Sequence, residues 1–179
     1  MRQAPCVLLF LLCAAAAVGH AQVVESADVR QFTITAGGMA SVFQPGEGGN
    51  SLVGAGTYAD IHFTHWFQLE AEGRWLRWNQ YFGEHEDNYL IGPRVPVHQF
   101  GRGTQLYGKA LIGYAKMTFP FSYGYGSFTD LAFGAAVDHR MGRKLSVKAD
   151  FEYQYWPKWL NNTSLSPYGV SLGVGYRVF

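Results

Sequence analysis

The chain reads as an all-β protein: an eight-stranded antiparallel transmembrane β-barrel of up-and-down meander order, preceded by a cleaved signal peptide. Three observations carry that reading. They are an apolar leader at the N-terminus, period-two alternation of apolar and polar residues through the remainder, and connections that are by turns short and long.

The leader comes first. Arg2 and the free amine precede a uniformly apolar run, Val7 to Val18, and Gly19-His20-Ala21 places small residues where a signal peptidase needs them. Residues 1–21 are therefore expected to be a signal peptide and 22–31 a short periplasmic tail. Twelve apolar residues are too few for a membrane helix, which needs ~20. Leu12 before Cys13 disfavours a lipid-modified cysteine, because a small residue is expected there. Both cysteines, Cys6 and Cys13, fall in the leader, so the mature chain has no disulfide framework and no thiolate chemistry. The 14 Lys and Arg, less Arg2, leave 13 against 13 Asp and Glu, a net charge of zero that excludes a nucleic-acid footprint.

After the leader, residues 32–179 divide into eight alternating segments: 32–43, 52–63, 67–78, 88–98, 104–117, 128–138, 144–156 and 167–179. In the third, Phe67, Leu69, Ala71, Gly73 and Trp75 alternate with Gln68, Glu70, Glu72 and Arg74. The seventh sets Leu145, Val147, Ala149, Phe151, Tyr153 and Tyr155 against Ser146, Lys148, Asp150, Glu152 and Gln154. The eighth does the same from Tyr168 to Val178. The connections run 8, 3, 9, 5, 10, 5 and 10 residues, matching short periplasmic turns and long extracellular loops at 44–51, 79–87, 118–127 and 157–166. A soluble sandwich or lipocalin would alternate too, but its charged mid-strand residues would lie outside and its apolar residues inside. Aromatic residues gather at the strand ends, and Phe63, Trp66, Phe67, Trp75, Trp78, Tyr155, Trp156 and Trp159 are expected to form two interfacial belts.

An eight-stranded barrel has an interior that side chains fill. Its expected ion-pair network is Asp60, Glu70, Glu72, Arg74, Arg94, Lys109, Asp130, Asp138, Lys148, Asp150, Glu152 and Arg177, seven acids to five bases. Buried charges persist when paired, so this set reads as structural rather than as acid–base catalysts, which no substrate would reach. His62 and His65 flank the first short turn without a third ligand, and no metal or other cofactor is expected. Glu84-His85-Glu86-Asp87 reads as a solvated loop, the alternative being a divalent-cation or lipopolysaccharide-phosphate site. Pro120 to Gly126 is an aromatic, glycine-rich loop tip of the kind that meets a partner.

Tyr107-Gly108-Lys109-Ala110-Leu111-Ile112-Gly113-Tyr114, the stretch from Asp130 to Asp138 leading into Asp150-Phe151-Glu152-Tyr153, and the terminal Gly173 to Phe179 resemble the small eight-stranded outer-membrane barrels, the OmpA membrane domain and OmpX among them. The resemblance covers 32–179 and specifies architecture rather than chemistry. It implies residence in the outer membrane of a Gram-negative-type bacterium, contact with outer-membrane lipids and lipopolysaccharide, and delivery by the β-barrel assembly machinery. The assembly signal is expected at Tyr176 and Phe179, although the family usually places its penultimate aromatic two residues before the last rather than three. The peptidoglycan-binding domain of full OmpA is not expected here. Function is then membrane stabilisation or surface interaction with some ligand at the long loops. The alternatives are a lipid A acyl-modifying enzyme, for which His85 with Ser122 or Ser127 is the one assembly available, and a narrow pore for small solutes.

Overall fold

The computed structural model describes residues 32–46, 50–157 and 163–178; the leader, the 22–31 tail, Trp159 and Phe179 lie outside the described residues. Eight strands, β1 (Thr33–Gln44), β2 (Leu52–His62), β3 (Gln68–Trp78), β4 (His85–Phe100), β5 (Thr104–Thr118), β6 (Tyr125–Arg140), β7 (Leu145–Tyr155) and β8 (Tyr168–Arg177), pair in chain order and close into a barrel. Closure is antiparallel between β1 and β8, with Thr35 opposite Arg177 and Gln44 opposite Tyr168. No strand is left with an unpaired edge, so every ladder is satisfied within the chain, as an apolar surround demands.

The alternation read from sequence sorts the side chains as expected. Ile91, Ile112, Phe133, Phe151, Val170, Leu172 and Val174 are exposed on the outer wall, while Arg74, Arg94, Glu70 and Glu152 are buried inside. A barrel in water would carry the opposite polarity. Both strand ends are ringed by outward aromatics. At the end where β1 begins and β8 ends, Phe32, Phe63 and Phe67 are in ring contact at 5.7 and 6.4 Å. At the other, Trp75, Tyr89 and Tyr114 form a continuous run, and Trp75 Nε1 donates to the Tyr89 hydroxyl at 3.0 Å.

Six strands end within two residues of the sequence expectation, whereas β4 and β6 each extend by three residues at the loop end and two at the turn end. His85 pairs with Thr118, Lys116 with Ser127, and Thr118 with Tyr125, so the second and third long connections shrink to 79–84 and 119–124. The expectation of loops at 79–87 and 118–127 is corrected accordingly. A hairpin that projects beyond the apolar zone keeps its backbone ladder while both faces carry polar or small residues, so side-chain polarity does not mark where pairing stops. A bulge between Pro96 and His98 accommodates the proline, which has no N–H for the ladder.

Candidate functional site

The lumen is filled in layers. At its centre Lys109 Nζ, on β5, lies 2.6 Å from Asp150, 2.9 Å from Glu152, and 3.4 Å from both Glu70 and Glu72. Toward the loop end Arg74 bridges Glu72 at 2.8 Å and Glu152 at 3.0 Å. Toward the turn end Arg94 joins Asp60 and Asp138, each at 2.7 Å, and Lys148 joins Glu70 at 2.7 Å and Asp60 at 3.3 Å. Each of the four cations thus holds at least two carboxylates, which is what keeps buried charge tolerable. Three also lie against rings: Arg74 over Phe43 at 4.2 Å, Arg94 over Tyr107 at 3.7 Å and Lys148 over Tyr58 at 4.2 Å.

Ten of the twelve residues expected in the lumen network are brought together this way. Asp130 stands one step removed, accepting from Asn88 Nδ2 at 3.1 Å, and Asn88 also reaches Gln154. Arg177 does not join. It points inward at the turn end of β8, and no carboxylate is paired with it among the described residues. Its expected place in the ion-pair network is corrected: Asp138, the network acid on the wall of the same cavity, is held by Arg94 instead. Glu86 was missed: it is fully buried in the lumen. Its parity with Arg94, Leu90 and Asn88 along β4 was the available signal, obscured by its charged neighbours.

The carboxyl oxygens of Glu70, Glu72 and Asp150 lie within 4.8 Å of one another, a spacing that suits a metal ion. The Lys109 ammonium is within 3.4 Å of all three and takes the position a cation would occupy.

Apolar side chains close the loop end. Phe43, Leu52 and Leu76 form one buried cluster, and Ala115, Met117, Trp156 and Leu165 another. Trp156 is completely buried and stacks on Phe128 at 5.6 Å, so its expected position in the outer belt is corrected. It follows outward Tyr155 and therefore faces in, where its isolated bridge to Leu165 fixes it. The other described belt candidates, Phe63, Trp66, Phe67, Trp75, Trp78 and Tyr155, are exposed or half-buried, and Tyr176 faces outward near the C-terminus.

Beyond the plug, Phe82 of the 79–84 loop and Phe121 of the 119–124 loop stack at 4.2 Å, and the Phe121 N–H donates to the Phe82 carbonyl at 2.8 Å. Tyr81 and Tyr123 extend the group, and all four rings are exposed. Phe82 and Phe121 hold left-handed backbone angles, φ 48° and 58°, which costs each about 1 kcal/mol or more and is uncommon for a bulky residue. The Glu84–Asp87 run is no open loop. Glu84 is buried, which raises its carboxyl above the usual range; His85 contacts the Gly83 carbonyl; Asp87 is bound by Arg77 at 2.6 Å. His85 and Ser127 both face outward but sit on strands separated by β5, on the order of 10 Å apart, beyond reach of a nucleophile–base hydrogen bond. His65 lies in the first turn with its ring against Trp66, while His62 faces the turn-end cavity.

A closed eight-stranded meander with an apolar exterior and a charged, filled lumen is an outer-membrane barrel. The profile of the outer membrane protein beta-barrel domain family matches residues 6–177, and the chain belongs to that family. Its fold is similar to that of Neisserial surface protein A, with a TM-score of 0.58 and 14% identity over 81% of this chain and 96% of that one. The N-terminal barrel domain of Pseudomonas aeruginosa OprF gives 0.55 and 16% over 80% and 96%, and OprG from the same organism 0.53 and 12% over 83% and 96%. No curated protein matches the chain in sequence. The protein is a small barrel of the Gram-negative outer membrane.

Proposed function

We propose that this barrel is a non-enzymatic surface-interaction protein that stiffens its membrane region and meets other molecules through its loop end. The observation that supports it is the Phe82–Phe121 stack, joined across two loops and flanked by Tyr81 and Tyr123. Four aromatic rings held in water, two of them on left-handed backbone, give up stability in the free protein, and an apolar or aromatic partner restores it. The lumen supports the mechanical half of the reading, since its ion pairs tie opposite walls together. The separation of His85 from Ser127 argues against acyl-transfer chemistry.

With both termini in the periplasm, the aromatic rim faces out of the cell. Cysteine placed at Tyr123 should react with a membrane-impermeant maleimide on intact cells, and cysteine at Gly142 should not; the reverse pattern overturns the orientation. Cells producing the barrel should autoaggregate and adhere to an apolar surface. The Phe82→Ser, Phe121→Ser, Tyr123→Ser triple variant should lose that adhesion at unchanged surface level. Equal adhesion of the two proteins sinks the contact role, and a His85-dependent change in lipid A acylation, read by mass spectrometry, sinks the non-enzymatic one.

A further inference from the structure

The turn end of the barrel is open where the loop end is plugged. There a cavity of about 330 Å³ reaches up into the lumen mouth, within the range of small-ligand sites. Arg140 at the end of β6, Arg143 in the 141–144 turn and Arg177 at the end of β8 line it. None of the three has an ion-pair partner among the described residues, whereas each lumen cation has at least two. Asp138 is the one carboxylate on the cavity wall, and Arg94 holds it at 2.7 Å. Lys144 also borders the cavity, but its ammonium turns outward over the Tyr176 ring at 5.4 Å.

Three guanidinium groups converging on one polar cavity from three chain segments repel one another until a counter-charge enters. Arginine supplies paired N–H donors in a planar fork that matches an oxyanion, and it cannot relieve the repulsion by losing its proton. Thr35 and Ser146, on the strands either side of β8, add hydroxyls to the same wall, and His62 adds a ring nitrogen. The one carboxylate on that wall, Asp138, is already held by Arg94.

We infer that this vestibule is a binding site for a small phosphate-bearing anion of charge two or more, with Arg140, Arg143 and Arg177 as its ligands. Size and charge fit a diphosphate or a glycerol-phosphate group. Such a group could be free in solution or be the headgroup of a neighbouring anionic phospholipid.

The test titrates inorganic pyrophosphate into the barrel purified in phospholipid-free detergent, by calorimetry and by NMR. Binding should saturate and shift the signals of His62, Arg140 and Arg177 while leaving those of Arg77 and Phe82, at the other end, in place. Arg140→Gln and Arg177→Gln should each weaken it about tenfold or more, as loss of a charge-assisted bond requires. Arg77→Gln should leave it unchanged. All three positions are at least partly exposed, and heat-dependent gel mobility verifies that each variant is folded. Repeating the titration in nanodiscs separates the sources. Pyrophosphate affinity that is equal in phosphatidylcholine discs and in discs containing phosphatidic acid assigns the site to a free anion, and competition by phosphatidic acid assigns it to a headgroup. Absence of saturable binding in the wild-type protein, or equal affinity in the two arginine variants, overturns the inference.

Discussion

Arg74 on β3 reaches Glu152 on β7 across the full width of the lumen, Nη1 to Oε1 at 3.0 Å, with both side chains almost wholly buried. In a closed eight-strand order these two strands stand opposite each other, so the pair acts as a tie across the barrel. Truncating either residue alone leaves its partner buried with one counter-charge fewer, Glu72 remaining for Arg74 and Lys109 for Glu152, and Arg74→Ala or Glu152→Ala should each cost about 3–5 kcal/mol. Replacing both by apolar residues of similar volume should recover most of that loss. Urea titration of the folded gel band measures all four proteins; equal stability of the single and double variants would show that the pair bears no load.

Two barriers stand in series along the axis: the apolar plug at Leu76 and Trp156, and the ionic layers at Lys109 and Arg74. Wild-type protein in a planar bilayer should show no stable conductance. Trp156→Ala removes one barrier and should remain closed, because the ion pairs still fill the section behind it. Adding Arg74→Ala and Glu152→Ala should produce resolvable openings. A large steady current from the wild-type barrel would mean that the lumen rearranges in the bilayer.

The strand parity of β3, β7 and β8 was legible because each has one apolar face and one that is charged or, in β8, small and polar, and that pattern has a single solution when the outside is lipid. It located Glu70, Glu72, Arg74, Lys148, Asp150 and Glu152 inside the barrel. Parity gives only the facing direction, however, and depth along the axis decides the partner. Arg177 has the right parity but sits at the strand end, where the one acid on its cavity wall, Asp138, is held by Arg94. Glu86 has the right parity too, but it sat in a run of charges that reads as loop, because above the apolar zone both faces of a hairpin become polar and the alternation disappears. Trp156 was grouped with the belt by residue type, where its neighbour Tyr155 belongs by position. The loop-end aromatic stack and the turn-end vestibule depend on contacts between distant segments, and no local pattern encodes those.

The placement of Trp156 is open to a spectroscopic check. Of the five tryptophans, Trp66 is exposed in the β2–β3 turn at the membrane edge, and Trp156 is enclosed between Met117, Leu165 and Phe128. Single-tryptophan proteins retaining one or the other should separate cleanly. Trp66 emission should be quenched by brominated phospholipid. Trp156 emission should be blue-shifted and insensitive to both brominated lipid and aqueous acrylamide. Quenching of Trp156 by lipid would return it to the belt.

Tyr58 of β2 lies over its neighbours β1 and β8, where the inward positions Gly37, Gly173 and Gly175 leave space for its ring. A Cβ built on Gly175 would stand 2.6 Å from the Tyr58 hydroxyl, 2.8 Å from Thr35 Cγ2 and 3.0 Å from Ser146 Oγ, all side-chain atoms. Gly37 differs, because there a Cβ would meet the Val174 carbonyl oxygen as well as the Tyr58 ring, and backbone in a closed ladder has nowhere to move. Gly175→Ala should therefore destabilise by about 1–3 kcal/mol through overpacking. Tyr58→Phe removes the nearest colliding atom, so in its background Gly175→Ala should cost distinctly less, a coupling of roughly 0.5–3 kcal/mol in a double-mutant cycle. Gly37→Ala should show no comparable rescue, since the carbonyl remains. Urea midpoints of the wild type, the three single variants and the two pairs give both couplings in one experiment. Additive losses at Gly175 and Tyr58 would mean that the ring does not occupy the space those glycines leave.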